Sequence, residues 1–114
     1  MGKTGVLGSF EEMVLLALLH QGREAYSVTI RRELQERSGS QVAMGAVYAT
    51  LDRLEDKGLV QSGSGRDSTV RKGRPRRYYE LSPAGARELA RTRRIRETMW
   101  QGIDLPVADA GGTG

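Results

Sequence analysis

The densest group of chemically active side chains in the sequence is a cluster of cations between residues 66 and 77. Six of these twelve residues are arginine or lysine, and Asp67 is the only acidic residue among them. Guanidinium and ammonium groups bind phosphate oxygens, and arginine does so with two parallel hydrogen bonds. The cluster therefore predicts a surface for a polyanion, although a basic loop by itself can also be merely solvated.

The side chains that could support catalysis are few and have no partners at a useful spacing. The chain contains one histidine, His20, and no cysteine, which excludes disulfides and thiolate metal sites. The pair His20 and Glu24 lacks a third ligand or base, and Tyr26 and Tyr48 are more typical of core or phosphate-contacting aromatics. We therefore predict a protein that is not an enzyme and that uses no metal and no cofactor.

Residues 41–60, which must position the basic cluster, have the pattern of a one-sided helix. Val47, Leu51 and Leu54 recur at the spacing of a single helix face. Gly58 is placed to end this helix in the left-handed conformation, with Leu59 folding back onto Leu54. Five residues fall mostly off the apolar stripe, namely Ala46, Ala49, Thr50, Asp52 and Arg53. The outer face of the first turns is small, so it can approach another surface closely.

Two β-prone segments, residues 59–62 and 76–81, predict a hairpin whose long tip, residues 63–75, carries most of the basic cluster. A helix followed by such a hairpin is the anatomy of a winged helix-turn-helix, in which the helix enters a groove of DNA and the wing holds phosphates. The predicted fold class is mainly α with a small β-hairpin: a winged helix-turn-helix followed by a C-terminal dimerisation helix.

The first predicted helix starts at Ser9, whose spacing from Glu12 is that of a capping box. Residues 13–19 are apolar on all sides, so this helix is expected either at the centre of the core or shared with a second subunit. The run is far too short to cross a bilayer, which takes about 18 residues.

The second predicted helix has Ser27 as its N-cap and directs Val28, Ile30 and Leu34 inward. The Ser-Gly-Ser sequence at residues 38–40 breaks this helix. The short connection to the next helix is typical of a helix-turn-helix.

A fourth helix begins at Ser82 and Pro83, as N-cap and first residue, and is expected to end near Gln101 or Gly102. It is rich in arginine and only weakly amphipathic, so it needs a partner to hold it. The predicted domains are residues 1–81 for the winged helix-turn-helix, 82–105 for the dimerisation helix and 106–114 for a disordered tail.

The chain of 114 residues has a net charge of +4 and an isoelectric point near 9.8. The charge is unevenly placed: residues 1–60 contain seven basic and eight acidic residues, and residues 61–114 contain eleven and six. The basic excess therefore belongs to the wing and the last helix, which favours a polyanionic partner. The absence of cysteine is compatible with the cytoplasmic location that we expect.

Several motifs resemble the PadR-like family of transcriptional regulators, over roughly residues 7–103. They are Gly45-Ala-Val-Tyr48, Leu51-Asp-Arg-Leu54-Glu55, Lys57-Gly-Leu-Val60, Gly73-Arg-Pro-Arg-Arg-Tyr-Tyr79 and Leu81-Ser-Pro-Ala-Gly85. The resemblance implies a sequence-specific DNA-binding regulator, a repressor relieved by a small-molecule effector. A homodimer of such a protein is expected to bind a palindromic operator in double-stranded DNA.

Pattern and resemblance together assign three sets of residues. The predicted DNA-binding set is Ser40, Gln41, Gly45, Ala46, Tyr48, Ala49, Arg53, Arg74 and Arg76. The predicted dimer interface contains Phe10, Val14, Leu18, Leu89, Ile95 and Met99. The predicted effector pocket for planar aromatic compounds contains Met13, Arg96 and Trp100, although Trp100 also fits the role of an interface anchor.

A second interpretation is a protein-interaction module that uses the same winged-helix fold without DNA, because a fold does not fix a function. The two interpretations differ in an observable property. A protein that binds phosphates loses affinity for duplex DNA steeply as salt rises, whereas an interaction module has no such affinity to lose.

Overall fold

The computed structural model describes residues 6–64 and 76–106. These ranges form helices α1 (Ser9–Gln21), α2 (Ser27–Ser38), α3 (Met44–Asp56) and α4 (Pro83–Trp100), and strands β1 (Val60–Ser64) and β2 (Arg77–Leu81), with a 3₁₀ turn at Gly22–Glu24. The predicted fold class is confirmed, with three helices, a two-stranded antiparallel hairpin and a long last helix. No helix within the described ranges is long and apolar enough to cross a membrane.

Helix α1 lies at the centre of the described fold and packs against α2, α3 and β2. Its inward face is buried among the large side chains of the other elements. Its opposite face is also apolar, but Met13, Leu16 and Leu19 are 41–48% exposed. The all-round apolar pattern of residues 13–19 thus reflects one face in the core and a second apolar face at the surface.

The start of α1 differs from the prediction by one residue. Ser9 is the first helical residue and Gly8 is the N-cap, so the predicted capping box of Ser9 and Glu12 is wrong. Glu11 is the third residue after the N-cap, and its Oε1 accepts a hydrogen bond from the Gly8 amide at 3.4 Å. Glu12 instead accepts a hydrogen bond from Arg96 in α4.

The start of α2 also differs from the prediction: the N-cap is Tyr26 and not Ser27, and Thr29 makes the side-chain hydrogen bonds at this helix end. The Thr29 hydroxyl donates to the Glu24 carbonyl (2.6 Å) and accepts from the Tyr26 amide (3.0 Å), which makes Tyr26 the N-cap. With its hydroxyl satisfied, Thr29 is buried, whereas Val28 is 47% exposed rather than inward.

Helix α3 ends as predicted, but one of its polar residues is placed differently. Gly58 has φ of +78°, and the Leu59 amide donates to the Leu54 carbonyl at 2.9 Å. The apolar stripe is fully buried, as expected, but Thr50 is only 2% exposed and belongs to the inner face. Its hydroxyl accepts from Arg53 Nη2 (3.2 Å), which satisfies the buried oxygen.

The hairpin pairs Val60 with Leu81 at its base and Ser64 with Arg77 at its far end. A single bridge between Tyr26 and Tyr78 adds a third segment, and the Tyr79 amide donates to the Ala25 carbonyl (2.9 Å). These bonds attach the wing to the residues just before α2. Of the predicted tip, Gly63 and Ser64 belong to β1, and residues 65–75 lie outside the described residues.

Helix α4 begins as predicted, with Ser82 as N-cap accepting from the Gly85 amide (3.0 Å), and it ends at Trp100. The Ser82 hydroxyl also donates to the Gly58 carbonyl (2.7 Å), and the Ser82 amide donates to the Leu59 carbonyl (3.0 Å). Further along, the Leu7 amide donates to the fully buried Thr92 hydroxyl at 3.0 Å. These contacts join α4 both to the end of α3 and to the segment before α1.

Candidate nucleic-acid interface

The base of the wing contains a stack of one cation and two aromatic rings. The Arg76 guanidinium carbon lies 4.5 Å from the centroid of the Tyr26 ring. The Tyr78 ring meets Tyr26 edge-on, with centroids 5.4 Å apart and planes at 62°. A cation over a tyrosine face is attracted by the ring's negative face. The stack therefore sets the direction in which Arg76 leaves the protein surface.

Tyr26 and Arg76 of this stack line a groove between the start of α2, the exposed face of α3 and strand β2. Tyr48 of α3 contributes to the groove and is 51% exposed. Among the described residues, the groove is lined by Tyr26, Ser27, Val28, Tyr48, Asp52, Arg76, Arg77 and Tyr79. The structure thus brings together Tyr48 and Arg76, which were predicted to bind DNA from separate segments of the sequence.

The first two turns of α3 present small exposed residues, as the sequence predicted. Gly45, Ala46 and Ala49 are exposed, and so are Ser40 and Gln41 in the preceding turn. Two side chains of α2 hold this turn by hydrogen bonds to the backbone of Val42. Val42 accepts from Arg31 Nε at its carbonyl (2.7 Å), and its amide donates to Gln35 (3.0 Å).

Charge along α3 restricts which part of the helix can approach a polyanion. The second half exposes Asp52 and Asp56, whereas residues 44–49 carry no charge. The helix N-terminus adds a partial positive charge of about half an elementary charge. A polyanion is therefore favoured at the first turns of α3 and disfavoured at the outward carboxylates of its second half.

Of the nine predicted DNA-binding residues, only Tyr48 and Arg76 are among the described residues that line this groove. Five others are exposed in the first turns of α3 or in the turn before it, and the remaining two are Arg53 and Arg74. Arg74 lies outside the described residues. Arg53 lies on the side of α3 that faces α1, where its Nε is 3.8 Å from Glu11 Oε2. Its side chain is 56% exposed, so it remains at the surface, but at a different edge of the helix from Tyr48.

Several groove residues were absent from the predicted set. Ser27, Val28 and Arg77 were not assigned to DNA, and Tyr26 was weighed only as a core or phosphate-contacting aromatic. Their signal in the sequence is weak, because it depends on the bridge between Tyr26 and Tyr78, which joins segments about fifty residues apart.

The predicted dimer set divides by burial. Val14 and Leu18 are 0% and 3% exposed, so they pack in the core of the chain itself. Phe10, Leu89 and Ile95 are partly buried, and Met99 is 72% exposed.

The predicted effector residues lie in different surroundings. Met13 lines a groove between α1 and α2, together with Leu16, His20 and Leu34. Arg96 donates from Nε to Glu12 (2.8 Å), and Trp100 is 58% exposed near the end of α4.

The fold and the groove define the class of winged helix-turn-helix proteins. Residues 15–91 match the sequence profile of the Transcriptional regulator PadR-like family, and the chain belongs to that family. It is 38% identical over 88 residues to the transcriptional regulator Rv3488 of Mycobacterium tuberculosis, covering 75% of this chain and 78% of the relative.

Solved structures agree with this assignment. RosR of H. salinarum has a TM-score of 0.61 and 30% identity, over 91% of this chain and 81% of its own. A PadR-like transcription factor from Bacteroides fragilis has a TM-score of 0.66 over 81% and 84% of the two chains, and at 24% identity it shows the shared fold. The protein is a transcriptional regulator and not an enzyme, as predicted.

Proposed function

We propose that this regulator binds double-stranded DNA through the first two turns of α3 and the base of the wing. The observation that carries the proposal is the groove in which the Tyr26–Arg76 stack faces Tyr48. Small side chains at Ala46 and Ala49 allow α3 to enter a major groove, which is about 12 Å wide. Arg76, held over Tyr26, then lies beside the phosphates that border the DNA major groove.

The expected division of labour follows from the chemistry of the two parts. Phosphate contacts from the wing set affinity and register but carry no sequence information. Base edges are read by α3 and by the exposed turn at Ser40 and Gln41. Arg74 adds a second cation to the wing in this proposal.

Arg76→Ala is expected to weaken binding to every duplex by roughly tenfold. The fall of log affinity with log salt should become shallower, by about one unit of slope. The loss should be larger when Arg74→Ala is added. The operator duplex is first identified by sequencing the genomic fragments that the immobilised protein retains. Fluorescence anisotropy with this duplex, repeated across salt concentrations, then measures both quantities.

Arg87→Ala is the matched control, because it removes the same charge from the exposed side of α4. It should leave both affinity and slope nearly unchanged. Equal affinity of the Arg76→Ala protein and wild type at all salt concentrations contradicts a phosphate contact by the wing. If wild type itself binds no duplex at low salt, the interaction-module interpretation takes its place.

We propose further that two copies associate through the exposed apolar face of α1 and through α4. Leu16 lies at the centre of this face, because it lines one groove with α2 residues and another with Leu89 of α4. Met99 and Trp100 add exposed apolar surface on α4. A two-fold dimer would present two α3 helices about one DNA turn, ~34 Å, apart, and would match a palindromic operator.

Leu16→Glu is expected to convert a micromolar dimer into a monomer, since a carboxylate at the centre of an apolar interface is strongly unfavourable. Sedimentation equilibrium measures the change. Val28→Glu is the control, because Val28 is 47% exposed against 43% for Leu16 but lies at the DNA groove. A folded wild-type monomer at micromolar concentration contradicts the dimer.

Repression relieved by a small molecule completes the proposal and rests on the family resemblance. Met13, Arg96 and Trp100 are the residues proposed to meet a flat, neutral or anionic aromatic compound in the dimer, by stacking and charge. Trp100 is the only tryptophan of the chain, so its fluorescence reports such binding directly.

A further inference from the structure

The carboxylate of Glu11, in the first turn of α1, is shared by two cations from the end of α3. Glu11 Oε2 accepts from Lys57 Nζ at 2.9 Å and lies 3.8 Å from Arg53 Nε. The Glu11 side chain is only 12% exposed, while Arg53 and Lys57 are 56% and 46% exposed. The anion is therefore covered by the two cations, whose outer parts remain at the surface.

The charge state of Glu11 is set by two opposing effects. Burial raises its pKa, but the hydrogen bond and charge of Lys57, the Gly8 amide and the charge of Arg53 together outweigh burial, so the pKa is lowered. Glu11 is consequently ionised at neutral pH, and it offsets positive charge at this edge of α3.

Arg53 and Lys57 lie along the same edge of α3 as Ala46. Residues seven and eleven positions apart return to nearly the same side of a helix. At 1.5 Å per residue, Arg53 is ~10 Å and Lys57 ~16 Å further along the axis than Ala46. If Ala46 enters a major groove, these two cations lie where α3 leaves it, within reach of a phosphate strand for side chains of their length.

We propose that Glu11 is a specificity-determining residue, which holds Arg53 and Lys57 in ion pairs and so limits their use in sequence-independent phosphate binding. This inference rests on the proposed binding of DNA by α3. On a non-specific duplex almost all affinity comes from phosphate contacts, so restraining two cations weakens that mode most. On the operator, base contacts fix the position of α3, and the two side chains remain paired with Glu11.

Glu11→Gln keeps the size of the side chain and removes its charge. The variant should bind a scrambled duplex roughly three- to tenfold more tightly than wild type, and its salt slope on that duplex should be steeper by about one. Its affinity for the operator recovered from genomic fragments should change less. The ratio of the two affinities, measured by anisotropy at several salt concentrations, should therefore fall.

Glu12→Gln is the matched control. It removes the same charge at the neighbouring residue, whose carboxylate pairs with Arg96 of α4 and not with Arg53 or Lys57. This control should leave the ratio unchanged. An equal gain in the Glu12→Gln protein would overturn the proposal, because the effect would then be a general one of net charge. The Glu11→Gln gain should also vanish when Arg53→Gln and Lys57→Gln are present; its persistence there would equally overturn it.

A second measurement does not depend on the folding of the Glu11→Gln variant. With Glu11 intact, the Arg53→Gln and Lys57→Gln pair should reduce affinity for the scrambled duplex by less than about threefold, because these two cations are already paired with Glu11. A larger loss would overturn the proposal. Failure of wild type to bind any duplex overturns the proposed function itself, whereas normal discrimination by wild type with an unchanged ratio in Glu11→Gln overturns only the role of Glu11.

Discussion

Ala49→Glu is expected to abolish operator binding while leaving the fold intact. Ala49 is exposed in the second turn of α3, in the uncharged half of the helix. A glutamate there adds bulk where the helix must approach base edges, and it places a negative charge against phosphates. Like charges brought together at an interface cost several kcal/mol, which corresponds to a loss of at least about 100-fold.

Anisotropy with the operator measures this loss, and circular dichroism checks that the helices are retained. Ala86→Glu makes the same change at an exposed alanine of α4 and should retain most of the affinity. Undiminished operator binding by the Ala49→Glu protein would show that α3 does not enter the groove by its first turns.

Gly85→Ala is expected to destabilise the protein by about 2 to 3 kcal/mol, although alanine is the better helix former. A Cβ at position 85 would lie 2.2 Å from the Leu59 carbonyl oxygen and 2.7 Å from Leu81 Cδ1. The nearest atom belongs to the backbone, so no side-chain rotation relieves the contact. Helix α4 would have to move away from the turn after α3.

Thermal unfolding at a fixed protein concentration should show a midpoint lower by roughly 10 °C or more. Gly45→Ala is the control, since a Cβ there meets nothing within 4 Å and the residue also lies in a helix. It should be neutral or stabilising by up to about 1 kcal/mol. Equal stability of the Gly85→Ala protein and wild type would mean that α4 packs less closely than described.

The features of this fold that the sequence predicts well are those determined by neighbouring residues. The apolar stripe of α3, the left-handed Gly58 and the Ser82-Pro83 start of α4 each depend on a few positions in a row. Backbone conformation and side-chain periodicity are enough to place them.

The errors at Val28 and Thr50 have a common physical origin in hydroxyl groups that pair locally. Thr29 and Thr50 are buried because a carbonyl, an amide or a guanidinium within five residues satisfies their oxygens. A pattern of apolar and polar residues treats threonine as an outward residue. For this reason the sequence pattern predicted that Val28 points inward and that Thr50 lies off the buried face of α3.

The candidate site was predictable in part for a similar reason. Tyr48 and Arg76 could be assigned from a helix and a basic hairpin, but the stack that holds Arg76 depends on Tyr26, which is distant in sequence. In the same way, the apolar pattern of α1 does not reveal which of its faces is already used in the core. Val14 and Leu18, which were predicted at an interface, lie on the face that packs in the core.

The Ser82 hydroxyl, bonded to both the Gly58 carbonyl and the Gly85 amide, has a consequence for the spacer between operator half-sites. It locks the end of α3 to the start of α4, so a dimer formed through α4 would hold its two α3 helices at a fixed helical phase. Each base pair added to the spacer turns one half-site by about 35° relative to the other. A rigid joint cannot follow that rotation, and only insertions of a whole turn would return both half-sites to the same side of the duplex.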